Sequence, residues 1–283
     1  MKNFIIPIDF SRESIHGLEM AVLFSSKMKI DIQLVYVITS VSDYRPSTIS
    51  EEHKFAEERF AILINEYAPL LKNDSTISYI IKQGKVYREI VNQANAYKDS
   101  IVSASTHGAS GFEELFAGSN ALKIMAATSK PVLTIRTGPA PRQINKIVMP
   151  IKLHPDTRQK VPVTAQIAKL FNAEVHVVSI STSKNKRDLD RLKSYSKQAE
   201  SFLNGQDIKV VSKSVTGESL PILTINYAEA VDADLIIMMS SAIDKWNVFL
   251  GSYAQQMLNR SKYPLLCIKP RTKDIATGFR TQG

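Results

Sequence analysis

Residues 103–135 read SASTHGASGFEELFAGSNALKIMAATSKPVLTI. The stretch begins as the end of an apolar run (Ile101, Val102, Ala104) and passes at once into Ser105-Thr106-His107-Gly108. A loop holding Gly108, Gly111 and Gly118 follows. Ser119-Asn120 then opens a segment whose apolar residues Leu122, Met125 and Ala126 have helical spacing. Pro131 ends that segment, and Val132–Ile135 reads as a short buried strand. The order strand, glycine loop, helix, strand suits an anion. Glycines let the backbone approach closely, and a helix start supplies oriented N–H donors with a partial positive charge. The same residues also serve a plain turn and a helix cap, so the spacing alone leaves both readings open.

The rest of the chain alternates in the same rhythm. Residues 3–8 (NFIIPI) read as a buried strand ending at Asp9, and Ser11 as the N-cap of a helix over 12–28. Strand two is Ile30–Ile38. Thr48-Ile49-Ser50-Glu51 fits a capping box for a helix to about Leu71, its apolar face made by Phe55, Phe60, Leu63, Ile64 and Tyr67. Ile77–Ile81 is a third strand closed by Gly84; a helix with Ile90, Val91 and Ala94 leads to a fourth, Ile101–Ala104. Strands alternating with helices imply a parallel sheet covered on both faces.

The chain then repeats itself. Asn3-x-Ile5-Ile6-Pro7-Ile8 recurs around Asn145–Ile151, and Ile30-Asp31-Ile32-x-Leu34 recurs as Ala173-Glu174-Val175-x-Val177. Gly84 answers to Gly217, Gly118-Ser119 to Gly251-Ser252, and Lys130–Leu133 to Tyr263–Leu266. The offset is 143 residues at Pro7 and 133 from Gly84 onward, so the second copy is about ten residues shorter between its second and third strands. The expected division is a first domain over 1–137, a linker over 138–143, a second domain over 144–270 and a polar tail over 271–283.

Composition bounds the class. At 283 residues, 44% hydrophobic and 22% charged, the chain has the make-up of two globular domains rather than a disordered polymer. Phe4–Ile8 is too short for a signal-peptide core, no run is long enough to span a membrane, and one cysteine, Cys267, allows no intrachain disulfide. A soluble cytoplasmic protein is expected. The net charge of +9 is uneven, +1 over residues 1–142 and +8 over the remainder. The excess gathers in Lys184-Asn185-Lys186-Arg187, Arg191, Lys193 and Lys197, on a helix whose other face (Leu189, Leu192, Tyr195, Ala199) is core-like. With no interleaved aromatics other than Tyr195, this reads as a solvated face, and no sequence-specific nucleic-acid partner is expected.

Ser105-Thr106-His107-Gly108, nine residues, then Gly118-Ser119 resembles the G-x-x-G, nine residues, G-[ST] loop of the universal stress protein family. The interval and the Gly-Ser are intact, while Ser105 replaces the first glycine. The resemblance covers nearly the whole chain as a tandem pair. It implies two Rossmann-like domains, each a five-stranded parallel sheet of order 3-2-1-4-5 flanked by helices, forming an intrachain pseudo-dimer that can itself homodimerise. It also implies ATP or another adenine nucleotide, with any Mg2+ brought by the nucleotide. The residues it points to are Asp9, with Pro7 and Ile8 before it, at the nucleoside and Val37 at the adenine. Ala104, Ser105, His107, Gly108, Gly118, Ser119 and Asn120 would surround ribose and phosphates.

In the second half Lys152 stands where Asp9 stands, and Met238-Met239-Ser240-Ser241-Ala242 is expected to form the loop, with no glycine at either position of the pattern. A copy kept for packing is the better reading there, and Trp246 reads as a packing or partner residue. No catalytic residue is assigned. The Ser-Gly-Gly-x-Asp-Ser and His-x-Gly-His signatures of adenylating folds are missing, and no nucleophile–base pair or acidic metal cluster is legible. Three functions remain: a nucleotide-binding stress or regulatory protein, a nucleotide-free interaction scaffold, and a slow ATP hydrolase.

Overall fold

The computed structural model describes residues 1–39, 46–106, 119–136, 140–240 and 251–270. The chain divides into two compact units, Met1–Ala140 and Pro141–Gly283. In the first, β1 (Asn3–Pro7), α1 (Arg12–Ser25), β2 (Asp31–Ile38), α2 (Pro46–Tyr67), β3 (Thr76–Gln83), α3 (Val86–Asn95), β4 (Ser100–Ser105), α4 (Ser119–Ala127) and β5 (Val132–Ile135) follow in order. The strands are parallel, in the order β3-β2-β1-β4-β5. The second unit repeats this with β6 (Lys146–Ile151), α5 (Val161–Phe171), β7 (Glu174–Ser181), α6 (Lys186–Asn204), β8 (Val210–Thr216), α7 (Leu220–Ala230), β9 (Leu235–Met239), α8 (Ser252–Arg260) and β10 (Leu265–Ile268). Its order, β8-β7-β6-β9-β10, is the same 3-2-1-4-5 arrangement.

The central strands are continuous apolar runs because helices cover both faces. Phe4, Ile5 and Ile6 of β1 are wholly buried, as are Ile147, Val148 and Met149 of β6. Ser11 caps α1 as expected, its Oγ accepting from the Ser14 N–H at 3.2 Å. The capping box at Thr48–Glu51 is corrected: α2 begins at Pro46, so these residues lie within the helix. Proline suits a first helical turn, where its missing N–H would have no intrahelical partner. Phe55, expected on the apolar face, is 45% exposed, while Ala56, Phe60, Leu63 and Tyr67 form the buried stripe. Gly84 closes β3 with φ +143°, a conformation open to glycine and strained for other residues, and donates its N–H to Ile38 O at 3.0 Å.

Two prolines shape the carboxyl edge. Ile8 donates its N–H to Val35 O of β2 at 2.9 Å, so by strand alternation the backbone of Pro7 faces β4. Proline has no N–H to give, and the β1–β4 ladder ends at Ile5–Val102, while β1–β2 continues to Pro7–Val35. Pro150 repeats the device in β6, whose ladder with β9 ends at Val148–Ile236. Each unit therefore has a crevice where its strand order reverses, the position at which open α/β sheets take ligands.

Candidate functional site

In the first unit the described residues of the predicted site converge on this crevice. Asp9 follows β1 and is exposed; its Oδ1 accepts the Ser11 N–H at 3.0 Å and the Ser11 hydroxyl. That bond ties the carboxylate to the start of α1. Val37 is nearly buried on β2. The alternation that aims Val35 O at Ile8 also aims Val37's N–H and C=O to the β1 side, beyond the last β1–β2 bond. Ala104 is buried and Ser105 half-buried at the end of β4, and Thr106 donates its N–H to Ile135 O at 3.0 Å. Ser119 and Asn120 open α4, with Asn120 exposed. His107, Gly108 and Gly118 lie outside the described residues.

Beside this crevice is a group of rings that the sequence reading did not anticipate. Phe10 has φ 61°, an uncommon left-handed conformation for a bulky residue. Its ring packs on Tyr36 at 5.1 Å, Phe60 at 5.0 Å and Phe55 at 5.8 Å, and Phe60 stacks on Tyr79 at 4.6 Å. Tyr36 donates its phenol O–H to Glu52 at 2.8 Å. The apolar spacing of Phe55 and Phe60 pointed to one side of it; Phe10, Tyr36 and Tyr79 join them only through the fold.

In the second unit's crevice the described side chains pack on one another. At the observed offsets Lys152 takes the position of Asp9 and Tyr253 that of Asn120. The Lys152 ammonium sits 4.0 Å from the centroid of the Tyr253 ring, and the buried Tyr253 hydroxyl meets Thr224 Oγ1 at 3.0 Å. Lys152 donates its backbone N–H to Thr157 Oγ1 at 3.0 Å. Lys160 is wholly buried beneath, donating to Thr157 O and Oγ1. Burial pulls Lys152 down to about 8 and Lys160 well below the usual lysine range. A cavity of about 10 Å³, room for roughly one water, lies between Lys152, His154, Asp156, Thr157, Met239 and Pro270. Met238 and Met239, expected in the loop, are instead the last buried residues of β9. Ser240 follows them; Ser241, Ala242 and Trp246 lie outside the described residues.

Among the described residues there is no group of three or more His, Cys, Asp or Glu side chains placed to hold a metal ion. No helix among them is long and apolar enough to cross a membrane.

The paired crevices and repeated order define a tandem, doubly wound α/β protein. The model of the universal stress protein family matches residues 1–136 and 143–269, and the chain belongs to that family. It is similar over 96% of its length to a universal stress protein from Archaeoglobus fulgidus DSM 4304, covering 97% of that chain at 18% identity with a TM-score of 0.77. A functionally unknown protein from Pseudomonas aeruginosa PAO1 aligns over 95% of this chain and 93% of its own, at 14% identity and a TM-score of 0.67. A universal stress protein from Archaeoglobus fulgidus in complex with dAMP covers 44% of this chain and 98% of its own, at 21% identity and a TM-score of 0.37. Among curated proteins, none matches this chain in sequence.

Proposed function

We propose that the chain is a regulatory or stress-response protein holding one adenine nucleotide, ATP or a related adenylate, in its first unit. The observation that carries this reading is the asymmetry of the two crevices. In the first, Asp9 and Asn120 are both exposed, and Val37 turns its backbone groups to the side where β1 has ended. In the second, Tyr253 covers Lys152. The retained Gly108, nine residues, Gly118-Ser119 spacing supports a phosphate loop leading into the start of α4. An oxyanion there gains about 0.3–1 kcal/mol from the helix start even when exposed. Val37 would read the adenine edge through its N–H and C=O, Asp9 would face the nucleoside, and Ser105 and His107 would border the ribose and phosphates.

Ser105 favours a second reading, an interaction scaffold without nucleotide, because its side chain stands where a glycine would let the backbone close on the ligand. Mass spectrometry of small molecules released on denaturing freshly purified protein separates the two. An adenine nucleotide near one equivalent per chain is expected. Its absence, together with no heat on titrating ATP, ADP or AMP, leaves the scaffold.

A further inference from the structure

The same sheet face is finished differently in the two units. In the first, Leu34 and Tyr36 of β2 register with Tyr79 and Ile81 of β3. Rings fill the space above them: Phe60 of α2 stacks on Tyr79 at 4.6 Å, and Phe10 packs on Tyr36 at 5.1 Å. In the second, the corresponding register joins Val177 and Ser179 of β7 to Ser212 and Ser214 of β8. Two tyrosines and an isoleucine have become three serines. The volume is not recovered from α6, and a groove of about 480 Å³ lies between that helix and the two strands.

Its floor and rim differ in chemistry. At the floor Ser179 and Ser196 are 3% and 8% exposed, and their hydroxyls hydrogen-bond to each other. That bond uses one of two O–H protons, and burying hydroxyls here costs free energy that an apolar pair would not. The first unit shows that the fold accepts apolar residues on this face. At the rim stand Lys193 and Lys197, one turn apart on α6 and both exposed; Lys213 of β8 registers with Val178 and by strand alternation projects from the other face of the sheet. Glu200 is the one acidic lining residue, and Ser201, Asn204, Ser212 and Ser214 supply further hydrogen-bonding groups. Two ammonium groups beside a hydroxyl-lined hollow form a complement to a phosphate ester on a hydroxyl-bearing body. Lysine binds phosphate as a point charge, and serines donate and accept with little directional demand. Part of the second unit's basic excess thus faces a hollow as well as open water.

We propose that the groove between α6 and β7–β8 is a second ligand site, taking a small phosphorylated polyol. Phosphate meets Lys193 and Lys197, and the ligand's hydroxyls meet Ser179, Ser212 and Ser214. This site is separate from the nucleotide crevice and does not depend on it.

The test is a titration of the 15N-labelled full chain with glucose 6-phosphate, with glucose and inorganic phosphate as separate arms. Saturable shifts confined to β8 and α6 amides are expected with the phosphate ester, and much weaker ones with either part alone. Lys193→Ala/Lys197→Ala changes only exposed side chains and should weaken binding by about tenfold or more. Ser212→Tyr, which restores the first unit's residue, should fill the groove and abolish the shifts. No saturable shift overturns the proposal. Inorganic phosphate binding as well as the ester, or binding that survives Ser212→Tyr, also overturns it, since rim lysines alone would then account for the effect.

Discussion

A Cβ placed on Gly17 would lie 2.7 Å from the carbonyl oxygen of Ser103, so α1 touches β4 backbone to backbone. The Ser103 hydroxyl completes the contact, donating to Gly17 O at 2.8 Å. Alanine would normally improve a helix interior by about 1 kcal/mol relative to glycine. Here the added methyl meets backbone that cannot rotate away, and overpacking of this kind costs about 1–3 kcal/mol. Gly17→Ala is therefore expected to destabilise the protein by roughly 1 kcal/mol or more despite its helix propensity. Urea denaturation checks this; a midpoint equal to or above that of the parent would show that α1 can move off β4.

Lys152 gives stability an unusual pH dependence. Its folded value is about 8 against an ordinary 10.5, so between these values the unfolded chain holds more protons than the native one. Stability then rises with pH through that window, and Lys160, also lowered by burial, adds in the same direction. The full shift corresponds to at most about 3 kcal/mol, less what the Tyr253 ring returns to the charged amine. Above about 9 the buried Cys267 thiol, pushed up to about 12, works the opposite way, so the rise is clearest from pH 8 to 9. Lys152→Met should be more stable than the parent at pH 7, and that advantage should shrink by pH 9. Unfolding followed at both values decides it; an advantage independent of pH would mean Lys152 does not titrate there.

The strands, their parallel order and the doubling of the fold were legible because buried parallel strands leave uninterrupted apolar runs such as Phe4–Ile6, and the repeat carried them across the chain. Boundaries were less so. Thr48-x-x-Glu51 has capping-box spacing, but the same spacing occurs inside any helix, and Pro46 had already begun this one. Met238 and Met239 follow two isoleucines without a turn signal, and they continue β9 where a loop had been read. The replacement of Asp9 by Lys152 was visible, whereas its burial under Tyr253 was not: the two are far apart in sequence, and only the offset of 133 places Tyr253 on Asn120's position. Ser179, Ser212 and Ser214 carry no sequence signal of a groove; only the register places them at the positions of Tyr36, Tyr79 and Ile81.

Cys267 should be inert in the native protein. It is 2% exposed on β10, and burial raises its thiol to about 12, leaving almost no thiolate at pH 8. Ellman's reagent should give no fast phase with folded protein and one equivalent after denaturation. A full equivalent reacting within the mixing time would show that β10 is accessible.

The nucleotide assignment predicts a single site with distinguishable variants. Gly118→Val should block the approach of phosphate to the N–H groups at Ser119 and Asn120 through its branched Cβ, and affinity should fall by about a hundredfold or more, the cost of losing several charge-assisted hydrogen bonds. Gly251→Val, the same change at the N-cap of α8 in the second unit, should leave nucleotide affinity unchanged. Ser105→Gly removes a side chain at the end of β4 and should bind as well as the parent or better. Asp9→Ala should cost both affinity and some stability, because Asp9 Oδ1 accepts the Ser11 N–H at the start of α1. Calorimetric titration with ATP gives stoichiometry and affinity together. Two equivalent sites, or binding that survives Gly118→Val and is lost on Gly251→Val, would place the nucleotide in the wrong unit.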